Sequence, residues 1–319
     1  MSRPVALASL SFVADEAQTV EQTLDAAVAK IDAVAGAGVD LVALPEAFIH
    51  SCPECRNSPH HVFDFAEPID GPIITRLADR ARTHRCYIAA PIILDRCGRH
   101  FNTIVLIDRN GDVAAEYDKV YATISEMTIG NDINAGTAPT PFDTDFGRVG
   151  FINCFDLNFH DIREQYHRDG VELIVFCSVY HGGLQANVWA YLNHCYFVAS
   201  IAGDGSRVIN PLGRTINEVK VLEGGILVQR IDLDYLFMHT SCNHLQIPAL
   251  LSRFGKSIEL EVCGDDAMML LTCTDEKIAV TDIQKALDLE AFDAMLDRSR
   301  DARQQRIEDG PIQPQRREW

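Results

Sequence analysis

Three side chains with the chemistry of acyl transfer each stand at the end of a predicted buried strand in this sequence. Leu41-Val42-Ala43-Leu44 leads into Pro45-Glu46, a strand near Val113 leads into Asp118-Lys119, and Gly150-Phe151-Ile152-Asn153 leads into Cys154. A carboxylate at the end of a buried strand sits where water is scarce, and desolvation raises its pKa towards that of a useful general base. An ammonium group placed there can stabilise a developing oxyanion. A cysteine at a strand-to-turn junction can be exposed at the base of a pocket, where backbone N–H groups beyond it can form an oxyanion hole. Taken singly, each residue has an ordinary alternative: a solvated strand-end glutamate, a surface lysine paired with Asp118 or Glu116, a buried structural cysteine. In the order Glu, Lys, Cys, 73 and 35 residues apart, the three reinforce one another.

Strands and helices alternate around them. Pro4 to Phe12 reads as a buried strand. Thr19 to Ala35 reads as a helix, with Val20, Leu24, Ala27, Val28, Ile31, Val34 and Ala35 on one face, Thr19 and Gln22 as a capping box, and Gly36 and Gly38 as its stop. Further helices are predicted at Pro72 to His84 and Asp161 to Asp169. Strands are predicted at Tyr87 to Leu94, Asn102 to Ile107, Val113 to Lys119, Val149 to Asn153, Phe197 to Ala202, Arg207 to Asn210 and Gly225 to Ile231, with a hairpin turn at Asp95 to Gly98. Gly170-Val171-Glu172-Leu173-Ile174-Val175-Phe176 echoes Gly38-Val39-Asp40-Leu41-Val42-Ala43-Leu44, which suggests two related helix–strand halves. The pattern gives one domain over residues 1–240, with two sheets and outer helices, and a C-terminal extension over residues 241–319. The extension should hold strands near 257–263 and 268–273 and a helix near 281–297, packing on the core or on a neighbouring subunit.

The composition limits what such a molecule does. The 319 residues carry a formal net charge of −18, so phosphate backbones and anionic membrane surfaces are repelled, and neither nucleic acid nor a membrane is an expected partner. A substrate anion would need a local cation, and there are six lysines: Lys30, Lys119, Lys220, Lys256, Lys277 and Lys285. The first residues lack the pattern of a secretory signal, and no apolar run reaches the length of a membrane span. Ten cysteines in such a chain point to a reducing compartment, hence a cytoplasmic location, with most thiols acting as small buried hydrophobes.

With Leu44-Pro45-Glu46, Tyr117-Asp118-Lys119 and the run Gly147 to Asp156 around Cys154, the sequence resembles the nitrilase superfamily of carbon–nitrogen hydrolases. Arg163, Gly170, Val171 to Phe176 and Asn210-Pro211-Leu212-Gly213-Arg214 fit the same resemblance, which covers residues 4 to 235. It implies an α/β fold, a four-layer α-β-β-α sandwich, assembled as a homodimer or higher homo-oligomer. It also implies a Cys-Glu-Lys triad needing neither metal nor organic cofactor. Carried onto this chain, Cys154 is the nucleophile, Glu46 the base and Lys119 the oxyanion stabiliser, aided by the N–H of Phe155. Glu126 is the candidate second glutamate, positioning substrate or water. The implied reaction is hydrolysis of a non-peptide C–N bond in a small molecule through a thioester, with release of ammonia or an amine.

Substrate choice stays open at this level. Cys154-Phe155-Asp156 resembles the amidase and carbamoyl-hydrolase branches more than the nitrilases proper, which more often carry Cys-Trp-Glu. Amide, N-carbamoyl and nitrile substrates all remain possible. His50, Tyr121, Asn158, Tyr180, His181 and Trp189 follow strand ends or catalytic motifs and are candidates for the pocket. The helix carrying Trp189-Ala190-Tyr191-Leu192-Asn193-His194-Cys195 departs from the Arg-Ala-x-Glu-Asn stretch common in relatives, a departure that bears on subfamily and assembly. Two rival readings compete. Cys52-Pro53-Glu54-Cys55 with His60-His61 has the residue types of a zinc site, although no second C-x-x-C exists. A catalytically silent, nitrilase-like binding protein is the other. No G-x-G-x-x-G follows the first strand, which disfavours a Rossmann dehydrogenase.

Overall fold

Thr19 opens the first helix by accepting the Gln22 N–H on its hydroxyl at 3.2 Å, one of the two bonds of the predicted capping box, and Leu24, Ala27, Ile31 and Val34 bury the resulting apolar stripe. The computed structural model describes residues 1–11, 19–58, 64–128 and 132–310. The chain divides into two units, Val5–Ile231 and Met1–Pro4 with Asp232–Trp319.

The first unit runs β1 (Pro4–Leu10), α1 (Val20–Ala35), β2 (Leu41–Ala43), α2 (Pro53–Asn57), α3 (Pro72–His84), β3 (Tyr87–Arg96), β4 (Arg99–Ile107), β5 (Val113–Asp118), α4 (Ile124–Met127), β6 (Ile133–Asn134), β7 (Phe142–Asp143), β8 (Arg148–Asn153), α5 (His160–Arg168), β9 (Leu173–Ser178), α6 (Gly183–Asn193), β10 (Tyr196–Ile201), β11 (Ser206–Ile209), β12 (Thr215–Val219) and β13 (Ile226–Asp232). One sheet has the order β13-β1-β2-β3-β4-β5, with β6 paired to β4, and the other the order β12-β11-β10-β9-β8-β7.

The central strands are parallel and apolar on both faces, as strands buried between layers must be. Along β1, Ala6, Ala8 and Leu10 join the core under α1 and α3, while Leu7 and Ser9 alternate to the other face. Along β10, Phe197, Ala199 and Ile201 join the core under α5 and α6. Buried serines tie the sheets together: Ser9 donates to the Ala199 carbonyl at 2.7 Å, and Ser200 Oγ lies 2.9 and 3.0 Å from the carbonyls of Leu10 and Ala43. The layers are therefore helix, sheet, sheet, helix, the four-layer sandwich expected.

The internal echo has a structural counterpart. Gly38 and Gly170 both take left-handed backbone, φ +63° and +67°, turning the chain from a helix into a central parallel strand. At the predicted hairpin, Cys97 and Gly98 form a two-residue turn with φ +57° and +82°, which matches the twist of β3 and β4.

The second unit has a three-stranded sheet of β14 (Tyr235–His239), β15 (Ile258–Cys263) and β16 (Met268–Cys273), ordered β14-β16-β15. Around it lie α7 (Thr240–Asn243), α8 (Ile247–Phe254), α9 (Val280–Leu287) and α10 (Phe292–Asp309). Met238, Leu250, Met269, Leu271 and Ile283 form its core. The helix expected near 281–297 is two helices. Asp288 turns left-handed at φ +52° and ends α9. Buried Asn243 then holds the Glu290 backbone, accepting its N–H at 2.8 Å and donating to its carbonyl at 2.9 Å, so those groups cannot join a continuous helix. No described helix is long and apolar enough to cross a membrane.

Candidate active site

Each predicted reactive residue follows a strand of the sandwich. Glu46 lies three residues beyond β2, Lys119 directly after β5, and Cys154 directly after β8. Both chain reversals at the acid and the thiol use left-handed backbone on non-glycine residues: Ala47 has φ +46° and Cys154 φ +49°. Such conformations cost on the order of 1–3 kcal/mol each and persist only where surrounding contacts enforce them.

For Cys154 the enforcing group is Asp156. Its fully buried carboxylate accepts the Asn153 N–H at 3.1 Å, the Tyr121 N–H at 2.8 Å and the Tyr117 hydroxyl at 2.9 Å. Burial pushes the Asp156 carboxyl up to about 6, against the lowering pull of those three donors. A raised native pKa gives stability that is complete below the ordinary carboxyl value near 3.9 and is lost as pH rises through about 6. Melting curves of wild type and Asp156→Asn across pH 4–8 should therefore show wild type losing stability relative to the variant between about pH 4 and 6, with little further change above pH 7. The expected change is on the order of 2 kcal/mol. A constant difference across that window would remove Asp156 as the titrating group.

Lys119 is buried, and so is Glu46. The bland pairing of Lys119 with Asp118 or Glu116 is absent because those carboxylates are taken: Arg96 clasps Asp118 at 2.8 and 2.9 Å and reaches Glu116 at 2.6 Å. The Lys119 ammonium instead donates to Glu46 Oε1 at 2.9 Å and to Glu126 Oε1 at 3.0 Å. The Asn102 side-chain nitrogen spans the same two oxygens at 3.0 and 3.1 Å. Its own oxygen accepts from Asn153 at 2.8 Å, linking the acid–base pair to the residue before the thiol. The Val179 N–H, just past β9, holds Glu46 Oε2 at 3.2 Å. The Thr123 N–H holds Glu126 Oε2 at 2.7 Å, part of the capping box of α4.

The electrostatics follow from this packing. Burial alone would lower the Lys119 pKa, but Glu46 and Glu126 together outweigh it and hold the ammonium above its ordinary value. Burial likewise opposes ionisation of Glu126, yet Lys119, the Thr123 N–H and Asn102 together keep its carboxyl below the ordinary range. The Cys154 thiol is pushed up to about 12, first by burial and then by the Glu46 charge, with Lys119 pulling the other way. The resting thiol is therefore protonated at neutral pH and has a carboxylate beside it to take the proton.

Glu46, Lys119, Glu126 and Cys154 line one cavity of about 410 Å³, together with Ala47, His50, Arg56, Ile93, Asn102, Thr123, Ile133 and Val179. Of the other predicted pocket residues, only His50 is in this lining. Tyr121 stacks on Phe159 at 3.6 Å and donates to Asp161 at 2.5 Å. Asn158 donates to the Phe155 carbonyl at 3.0 Å and accepts from Gln185 at 3.2 Å. Tyr180 packs edge-on against Phe176, and burial pushes its hydroxyl up to about 12. His181 sits under Arg207, whose guanidinium bonds the Gly183 carbonyl at 2.7 Å and lies 2.8 Å from His181 Nδ1. Trp189 is a core residue of the α5–α6 layer, because α6 turns it inward onto the sheet. The Phe155 side chain is exposed, and its backbone opens the 3-10 turn that starts at Cys154.

Sequence reasoning missed Asn102, Asn153, Val179, Thr123 and Arg56. Asn102 was detectable as a polar residue inside the otherwise apolar run Phe101 to Ile107, and Asn153 as the polar end of β8. At the rival zinc motif, Cys52 and Cys55 are buried against Val20 and Phe65, and burial together with the neighbouring Cys52 thiol raises the Cys55 pKa. His60 and His61 lie outside the described residues.

Comparison with known proteins bears on the family and the fold. The model of the family described as carbon–nitrogen hydrolase matches residues 5–236. The omega-amidase NIT2 of Homo sapiens is 26% identical over 220 residues, spanning 60% of this chain and 78% of the relative. A carbon–nitrogen hydrolase from Helicobacter pylori G27 superposes with a TM-score of 0.64 at 17% identity, over 73% of this chain and 90% of that one. An amidase from Nesterenkonia sp. superposes with a TM-score of 0.59 at 17% identity, over 72% and 90%. At these identities the two structures speak for the fold alone, while the family match covers most of the chain. The chain belongs to the carbon–nitrogen hydrolase family, and it is an amidase-like hydrolase of the nitrilase superfamily.

Proposed function

We propose that this chain hydrolyses the amide bond of a small molecule by a Cys-Glu-Lys mechanism through a thioester. The observation that carries the reading is the convergence of a thiol, a buried carboxylate and a buried ammonium on one cavity, with the ammonium held between two glutamates. Glu46 takes the Cys154 proton as sulfur attacks the amide carbon, so a free thiolate, costly in this buried position, never accumulates. Lys119 and the Phe155 N–H meet the oxyanion of the tetrahedral intermediate. Glu46 returns the proton to the leaving nitrogen, the C–N bond breaks, and ammonia or an amine departs. Water then attacks the thioester, giving its proton to Glu46. Collapse of the second intermediate releases the carboxylic acid and re-forms the Cys154 thiol with that proton. Glu126 holds Lys119 from its second side and fixes its position. The likeness to the human omega-amidase favours amides over N-carbamoyl compounds and nitriles.

The test is ammonia release from a panel of amides, N-carbamoyl compounds and nitriles, run beside Cys154→Ala. Wild type should release ammonia from amides, and the variant should be at least 10³-fold slower while melting within a few degrees of wild type. Turnover by Cys154→Ala near the wild-type rate would overturn the mechanism.

A further inference from the structure

We infer that Arg207 is a positioning residue for the reaction: its buried guanidinium holds the loop between β9 and α6, and through the Val179 N–H that loop orients the carboxylate of Glu46. This rests on the amide-hydrolase reading above and adds to it a residue outside the cavity lining.

The loop touches the chemistry at its start. Glu46 Oε1 is already shared by Lys119 and Asn102. Its second oxygen, Oε2, takes the Val179 N–H at 3.2 Å, which fixes the rotation of the carboxylate about its own axis. Val179 also lines the cavity. Next to it, the buried Ser178 hydroxyl accepts the Tyr180 N–H at 3.0 Å and favours the ionised form of the Cys154 thiol by a side-chain hydrogen bond. A shift of this loop therefore moves groups bonded to both the base and the nucleophile.

The far end of the loop depends on Arg207 for its shape. Gly182 and Gly183 take left-handed backbone, φ +71° and +47°, and a side chain at Gly182 would meet Leu157 and Phe176 at 2.9 and 3.0 Å. Two adjacent glycines leave the backbone free to move unless something outside it holds it. Arg207, on β11, donates through Nη2 to the Gly183 carbonyl at 2.7 Å and to the His181 carbonyl at 3.3 Å. Its Nη1 lies 2.8 Å from His181 Nδ1, which also accepts the Gly183 N–H at 3.3 Å. Gly205 leaves room for this imidazole, since a side chain there would stand 2.1 Å from His181 Cδ2. All these donors of Arg207 serve one loop. Burial lowers the Arg207 pKa, and Glu218, its cross-strand neighbour on β12, opposes that effect. A buried charge is costly and persists where hydrogen bonds compensate it. The planar fork meets two carbonyls at once, which the point charge of a lysine does not.

The experiment measures kcat and KM for the best amide of the panel in wild type, Arg207→Lys and Arg207→Ala, and repeats Arg207→Ala with millimolar guanidinium. Arg207→Lys keeps the charge and so preserves a folded variant. Its kcat should fall at least about tenfold with KM within about twofold, because the loss falls on the acid–base geometry and not on binding. Arg207→Ala should lose about 100-fold in kcat, the low end of what a positioned general base contributes. Guanidinium should restore at least about fivefold of that loss, and sodium chloride at equal ionic strength should restore none. A variant that is only less stable would gain nothing from guanidinium, which weakens folded states. Unchanged kcat in either variant, a loss carried by KM alone, or no rescue overturns the assignment. A second arm needs no turnover: hydrogen–deuterium exchange at the Val179 amide. Exchange should be at least about tenfold faster in Arg207→Ala than in wild type, with β8 and β10 unchanged, and equal protection of Val179 overturns the assignment. Silence of every amide with wild type would overturn the amide-hydrolase reading, while the exchange arm still decides whether Arg207 holds the bond from Val179 to Glu46.

Discussion

Lys119→Met should lose at least 10³-fold in kcat/KM and also melt about 6–20 °C below wild type. The activity loss follows from removing the only ammonium among the described residues of the cavity lining, where oxyanion stabilisers are worth about 10²–10³ each and the acid–base geometry depends on the same group. The stability loss has a separate cause. Lys119 holds one oxygen of Glu46 and one of Glu126 at 2.9 and 3.0 Å, so its removal leaves two carboxylates facing each other in a partly dry site. Breaking a buried ion pair in this way costs about 3–5 kcal/mol, and a domain of this size shifts by about 2–4 °C for each. The sign with pH is fixed by the same argument. In the variant, one of the two carboxyls acquires a raised native pKa, so its stability is present at acid pH and is lost as pH rises through that value. Thermal melts at pH 5 and pH 8 read this directly: the gap to wild type should narrow at pH 5. A gap independent of pH, or activity within tenfold of wild type, would show that Lys119 does not balance the two glutamates.

Glu46→Gln should separate thiol reactivity from turnover, moving them in opposite directions. Amide hydrolysis should fall by about 10²–10⁴, the usual contribution of a positioned general base. Alkylation of Cys154 by iodoacetamide at pH 8 should become several-fold faster. The Cys154 pKa is pushed up to about 12 by burial and, next, by the Glu46 charge, while Lys119 lowers it. Neutralising Glu46 removes an opposing charge and leaves the ammonium free to favour the thiolate. Mass spectrometry of the alkylated protein over time measures the rate at Cys154 separately from the other cysteines. Slower alkylation in the variant would mean that Glu46 assists the resting thiol and does not oppose its ionisation. Unchanged hydrolysis would remove Glu46 from the mechanism. The fold should tolerate the change, because glutamine keeps an acceptor for Asn102 and Lys119.

What the sequence alone determined is the set of features that repeat along short stretches of chain. The alternating and helical apolar periods located α1, α3 and most strands of the sandwich, because each element buries one face or both faces of its own local pattern. The glycines of the two echoing segments marked the same helix-to-strand turn in each half, since φ near +65° is a property of one residue. The triad was legible because Glu46, Lys119 and Cys154 each follow a predicted strand and lie in the three motifs that carry the family resemblance, although β5, before Lys119, is only partly buried.

Only the tertiary structure decided what surrounds them. Asn102 comes from the middle of β4, Val179 from the end of β9 and Arg56 from α2, and no spacing rule connects these to Glu46 or Cys154. Sequence proximity to a motif was equally uninformative in the other direction: Trp189 turned into the core and His181 under Arg207, because helix phase and buried arginine contacts fixed them. The break between α9 and α10 arose from a contact 47 residues distant, where Asn243 claims the Glu290 backbone. Local pattern specifies which faces must be buried, whereas long-range hydrogen bonds and charge compensation, made only once the sheets are assembled, select the residues that share the cavity.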